Sequence, residues 1–229
     1  MLQTMQQIDQ NKHSLESHPF FRFVRDESKS SEQRLSFASC LAPFVMGFSD
    51  VNALGLRDES LNHPLQRIVN EHTNEDDNHW PMFLEDLETL GLNRQTTTVE
   101  SLKTHWSSQN RRTRELTYSL MRLSCNSYPP LRIVLIEAVE ATGSVAWEAF
   151  LTAAETYMNT TGRTLRYFGP EHADLETGHT MGTDDIDEKL RGVELSAEER
   201  VQASQMVDEV FERFSAMFDE QLEYASRNS

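Results

Sequence analysis

The chain is 229 residues long and carries 37 acidic against 21 basic side chains, a formal charge of −16. That length can bury a sizeable core in one domain spanning residues 1–229, and the charge argues against nucleic acid or an anionic membrane as a partner. Two cysteines are too few for a disulfide framework; with no run of about 18 apolar residues and no leader-peptide pattern, the expectation is a cytoplasmic protein.

Residues 1–17 are polar and read as a short helix or a frayed lead-in. His18-Pro19-Phe20-Phe21 opens a short apolar helix under the body, with His18 structural or exposed. Ser30 to Gln33 is a polar start to a long apolar run in which Leu35, Phe37, Ala38, Leu41, Phe44, Val45 and Phe48 form one wide face. Pro43 is expected to kink that helix, and Cys40 to be a small core residue.

The segment from Leu65 to Trp80 is the first with chemistry in it. At 100° per residue, Leu65, Ile68, His72, Glu75 and Phe83 fall within about 40° of His79, and Asp76 about 60° away. An apolar stripe that turns into imidazoles and carboxylates costs several kcal/mol to bury unless those groups are paired or hold a metal. The bland alternative is an acidic surface patch. Pro81 predicts a kink just after His79.

Gly91-Leu92-Asn93 closes this helix, and Thr97 with Glu100 is a capping box for the next, over about 98–125. Its basic residues (Lys103, Arg111, Arg112, Arg114, Arg122) read as a solvated face. Tyr128-Pro129-Pro130 breaks the chain. The helix predicted over 131–157 has a stripe of Ile133, Ile136, Gly143, Trp147, Leu151 and Ala154 with Glu140 at its centre; Glu137, Glu148 and Glu155 fall on a wet edge. A lone carboxylate in an apolar stripe needs a partner or a metal, which singles out Glu140. Gly143 either makes room for a bound molecule or lets two helices approach closely.

Gly169-Pro170 marks another helix start. From there His172, Glu176 and His179 fall at i, i+4 and i+7, on one face. The Asp184-Asp185 loop lacks the spacing of a calcium loop. Ser196 and Glu199 form a capping box for a last helix whose core face holds Val207, Val210, Phe211, Phe214, Met217 and Phe218. No segment has strand periodicity, so the fold class is all-α.

His and carboxylate side chains from three helical segments suggest a bundle holding metal between its helices. Nitrogen and oxygen donors without thiolate favour iron or manganese over structural zinc. The candidate ligands are His79 with His72, Glu75 or Asp76, then Glu140, then His172, Glu176 and His179.

This order resembles the heme-oxygenase-like diiron oxidases, members of the wider heme-oxygenase/TenA-like all-α fold. The resemblance spans roughly residues 35–220, and His172-x-x-x-Glu176-x-x-His179 is its most specific part, with Glu where Asp is more usual. In the first ligand helix His72 and Asp76 precede His79 where a Glu is the family habit. The resemblance implies a bundle of about seven helices and one or two non-heme irons, with manganese as the substitute. His72, Asp76, His79, Glu140, His172, Glu176 and His179 would be the ligands. It further implies oxidation of a small organic substrate by O₂, and a homodimer is common on such folds. Trp80, Trp147, Tyr167 and Phe168 are candidate pocket walls. Rival readings are a metal-free TenA-like hydrolase using Cys125 near Tyr128, a heme protein, and a non-enzymatic binding or regulatory protein on the same fold.

Overall fold

The computed structural model describes residues 1–93, 96–177, 190 and 192–228. Among them there are helices and turns and no strand. The all-α expectation holds.

Helix α1 (Leu2–Glu16) is a packed element, not a lead-in: Thr4, Ile8 and Leu15 are buried where it lies on the two longest helices of the chain. In α2 (Pro19–Val24) Pro19 takes the first turn, where a missing N–H has no cost, and His18 caps the helix by accepting the Phe20 N–H at 3.2 Å. Phe20, Phe21 and Val24 are fully buried. The short α3 (Ser31–Arg34) carries a complete capping box from Ser30 and Gln33.

A 3₁₀ turn (Ala38–Leu41) then leads into α4 (Ala42–Asp50), which runs on as a π-helical turn (Val51–Leu56). Pro43 therefore starts a helix instead of kinking one, because its lost N–H falls among those that a helix start leaves unpaired anyway. By length and hydropathy alone the stretch Ser31–Leu56 could cross a membrane. Here it is broken into these pieces, and Leu35, Phe37, Leu41, Val45, Val51 and Leu56 enter the core.

Helices α5 (Pro64–Asp76), α6 (Trp80–Thr89) and α7 (Thr98–Trp106) follow. The predicted basic helix is divided: after α7 comes a 3₁₀ turn (Ser108–Asn110) and then α8 (Arg111–Cys125). The break is built at Ser107, whose backbone is extended and whose hydroxyl accepts the Gln109 N–H; the Arg114 guanidinium donates to the carbonyls of His105, Ser107 and Asn110. Those carbonyls would otherwise be orphaned at a helix end.

The central helix is α9 (Pro129–Thr161), apolar on several faces because α1, α2, α3, α5, α8 and α10 all lean on it. Gly162, with φ of 70°, ends it in the left-handed conformation that glycine adopts freely. The short α10 (Pro170–Thr177) and the long α11 (Ala197–Asn228) complete the chain. One buried cluster joins residues of α1, α2, α4, α6, α8, α9 and α11. Its densest part is a set of edge-to-face and stacked rings, Phe20, Phe21, Phe37, Phe150 and Phe218.

Candidate metal centre

The site is assembled from α5, the start of α6, the middle of α9 and the segment entering α10. Helix α5 is unusual in burying polar side chains: Gln66, Asn70, His72, Thr73 and Asp76 are all inside. Each of the first two is matched. Gln66 donates to the Leu56 carbonyl at 2.9 Å and accepts from Arg132 of α9 at 2.7 Å. Asn70 accepts the Asp58 N–H at 2.9 Å and donates to the Asp58 carbonyl at 3.1 Å. This lattice fixes the rotation of α5, and so aims His72 and Asp76, one helical turn apart, at α9.

Helix α5 ends at Asp76, and His79 is the residue before α6. The expected kink after His79 thus lies in front of it. Pro81 explains the shift: within a continuous helix its ring would clash with the carbonyl four residues back, that of Asp77, so the helix breaks there. Arg57 holds the break by bonding Asp77 at 2.7 Å. The helical wheel does not carry across the break, and the ranking it gave is reversed: Asp76 is buried and Glu75 is exposed.

His72 Nε2 lies 3.4 Å from Glu140 Oε1, and His79 Nδ1 lies 3.2 Å from Asp76 Oδ1. One donor atom each from His72, Asp76 and Glu140 falls within 4.8 Å of the others. His172 Nε2 stands 2.9 Å from His79 Nδ1. The other His172 nitrogen, Nδ1, is 3.0 Å from the Tyr167 carbonyl. A carbonyl only accepts, so Nδ1 carries the proton and Nε2 presents a lone pair. That is the tautomer, with the second-shell carbonyl, that a metal-binding imidazole needs. Asn52, in the π-helical turn, donates to the far oxygen of Asp76 at 3.4 Å.

Of the residues singled out in the sequence, His72, Asp76, His79, Glu140 and His172 therefore meet in one place. Glu176 lies in α10, four residues after His172. Its side chain and the whole of His179 lie outside the described residues, as does the Asp184-Asp185 loop. On α9, Glu148 and Glu155 are exposed as expected, but Glu137 is half-buried with one oxygen out of contact with solvent.

Two contributors escaped the sequence reading. Asn52 gave no signal, since its reach depends on the π-helical turn. Asp86 gave one: it sits between Phe83 and Leu90 at helical spacing, an acid in an apolar stripe just as Glu140 is. Its two oxygens accept the N–H groups of Arg166 at 2.7 Å and Phe168 at 2.9 Å. It thereby fixes the turn whose Tyr167 carbonyl orients His172. Burial pushes the Asp86 carboxyl above its ordinary range, against the pull of those backbone N–H groups.

His72 faces a small cavity with Asn52 and Glu140. Beside it, Asp76, His79, Glu140 and His172 line a larger one of about 800 Å³, part of it open to solvent. Its other walls are rings: Phe44, Phe48, Trp147, Phe150, Phe214 and Phe218. Trp80 and Tyr167 also line it, whereas Phe168 is core packing against Phe83 and Phe150. Neither cysteine lines it. Cys125 is exposed at the end of α8, and Cys40 is buried, its thiol pushed up to about 12 by desolvation.

No protein-family model matches the sequence, and no curated protein matches it as a relative. Solved structures do match the fold. A domain of unknown function with a heme oxygenase-like fold from Shewanella denitrificans superposes with a TM-score of 0.65 at 16% identity, over 95% of this chain and 90% of its own. A TenA homolog from Pseudomonas syringae pv. tomato gives 0.66 at 14% identity, over 97% of this chain and 92% of its own. The fold is heme oxygenase-like and TenA-like.

Proposed function

We propose that this heme-oxygenase-like chain is an oxidoreductase that holds one or two non-heme irons, with manganese as the substitute, and uses O₂ to oxidise a small organic substrate. The observation that carries the reading is the clustering of His72, Asp76 and Glu140 donor atoms within 4.8 Å, beside a largely apolar cavity that Asp76 and Glu140 line. Mixed imidazole and carboxylate donors with no thiolate nearby suit iron or manganese. His72 and Asp76 are almost completely buried, where a bound cation would offset the cost of desolvating the carboxylate.

Iron bound here would supply dioxygen activation. The residues supply the rest. His72, Asp76 and Glu140 would hold the metal, and His172 would offer it the Nε2 lone pair. Asn52 holds Asp76 in place through its second oxygen. With His172 protonated at Nδ1, the proton between the two imidazoles belongs to His79 Nδ1, which is also within reach of Asp76. The His79–Asp76 contact would hold that proton with the metal bound. The aromatic walls keep bulk water from the reacting end. A TenA-like hydrolase using a cysteine would need that thiol in the cavity, and neither Cys40 nor Cys125 lines it.

The test is elemental analysis of protein reconstituted anaerobically with Fe(II), for wild type and for Glu140→Ala, Asp76→Asn and His172→Ala. Between one and two irons per chain in wild type, lost in the variants while far-UV circular dichroism is unchanged, supports the reading. Wild type that binds no iron would sink it.

A further inference from the structure

We infer that Gly143 is a specificity-determining gap in the cavity wall, kept open beside Trp147 for the uncharged ring of an aromatic ligand that bears a hydrogen-bond acceptor. The inference rests on the cavity being the ligand site, as in the function proposed, but not on the metal.

Gly143 lies inside the 33-residue helix α9, where glycine weakens a helix relative to alanine. Two ordinary reasons for such a glycine are absent. Its φ is not positive, since among the described residues only Gly91 and Gly162 have that conformation. Nor, among the described residues, does another helix press on it: a Cβ placed there would meet only the Trp147 side chain, at 3.7 Å from Nε1 and 3.9 Å from Cδ1, which is ordinary contact. Gly47 and Gly55 show what a packing glycine looks like, with α8 side-chain atoms at 2.5 Å and 2.0 Å from the would-be Cβ. What remains at Gly143 is the cavity, which it lines one turn after Glu140.

The surroundings of the gap define what fits. Trp147 Nε1–H is the donor nearest the gap, 3.7 Å from where a Cβ would lie, and the cavity around it is lined largely by aromatic rings. Rings packed edge-to-face on rings gain beyond their buried area. Among the described residues no lysine or arginine lines the cavity, whereas Asp76, Asp77 and Glu140 do. An anionic body would therefore lie among carboxylates with no counter-charge. A neutral aryl ketone or a similar ring with one acceptor suits the ring faces and the Trp147 N–H beside the gap.

The experiment is calorimetric titration with β-acetylnaphthalene, β-ethylnaphthalene and β-naphthoate, on protein as purified and after chelation. The chelated sample removes any metal that could bind the naphthoate carboxylate. The ketone is expected to bind wild type in both samples, and naphthoate at least about tenfold more weakly in the chelated one. Gly143→Leu should weaken the ketone at least about tenfold without loss of helix content. Gly143→Ala should weaken it less while raising the melting midpoint by about 2–4 °C. Trp147→Phe should erase the preference for ketone over ethylnaphthalene. The inference is overturned if wild type binds none of the three, if naphthoate matches the ketone in chelated protein, if Gly143→Leu binds like wild type, or if Gly143→Ala lowers the midpoint. Absence of iron would refute the oxidase reading and leave these outcomes legible.

Discussion

Asp86 offers the sharpest test of how this site is held. Its carboxylate, 1% exposed, accepts two backbone N–H groups of the 166–168 turn, from Arg166 at 2.7 Å and Phe168 at 2.9 Å. Asp86→Ala removes both acceptors, and the Phe168 N–H has no water to turn to. Stranding buried donors costs about 1–3 kcal/mol each. Because the wild-type carboxylate is itself expensive to bury, the net loss should sit near the lower end, about 2–4 kcal/mol. For a chain of this size that lowers the melting midpoint by roughly 4–16 °C. Asp86→Asn should fall between, since its single carbonyl accepts one N–H while its amide opposes the other. The sign of the pH dependence follows from the raised folded-state pKa. The contribution of Asp86 is full below its unfolded value and is lost as pH rises through the folded one. Wild type should accordingly lose stability relative to Asp86→Asn as pH is raised from about 4 upward. Because the turn carries the Tyr167 carbonyl that orients His172, iron affinity should fall as well. Thermal melts by circular dichroism across pH, with iron titrations, decide it. A midpoint shift under about 2 °C for Asp86→Ala, or unchanged iron binding, would refute the reasoning.

Other substitutions test the frame. Arg34 is fully buried, and none of its three guanidinium nitrogens has a hydrogen-bond partner. Arg34→Met should raise stability by about 1–4 kcal/mol in a denaturant titration, and a decrease would show that the charge is compensated. Gly55→Ala would drive a methyl to 2.0 Å from Ser124 Oγ. It should cost about 1–3 kcal/mol, part of it recovered in the double variant with Ser124→Ala; no recovery would place the strain elsewhere.

Periodicity found the site where helices are long and straight. Glu140 stands out because the apolar stripe of α9 runs unbroken on both sides of it. His172 could be placed because Gly169-Pro170 fixes the start of α10. The method failed where the chain changes phase. The wheel placed Glu75 nearer to His79 than Asp76, and so left both open as ligands, because it ran through residues 77 and 78, although Pro81 already forbade a helix there. Asn52 depends on the extra residue per turn of a π-helix, which leaves no mark in a single sequence. Residues 1–17 could be read as helix or as lead-in, and the choice was open because the surfaces that α1 covers belong to α9 and α11, far along the chain. Asp86 had the same signature as Glu140, an acid in an apolar stripe, and could have been found the same way.

The far wall of the cavity is also the core. Phe150 and Phe218 face the ligand space and are at the same time members of the ring cluster that ties α2 to α9 and α11. Truncating either one would cost about 3–5 kcal/mol, out of a total of about 5–15 for a typical domain. Evolution therefore has little freedom to enlarge this pocket from its floor. Phe44 and Phe48, half-buried on α4, and the gap at Gly143 can change at far smaller cost. Relatives that take different substrates should diverge at the mouth and keep the floor, so that the range of ligands drifts while the fold stays fixed.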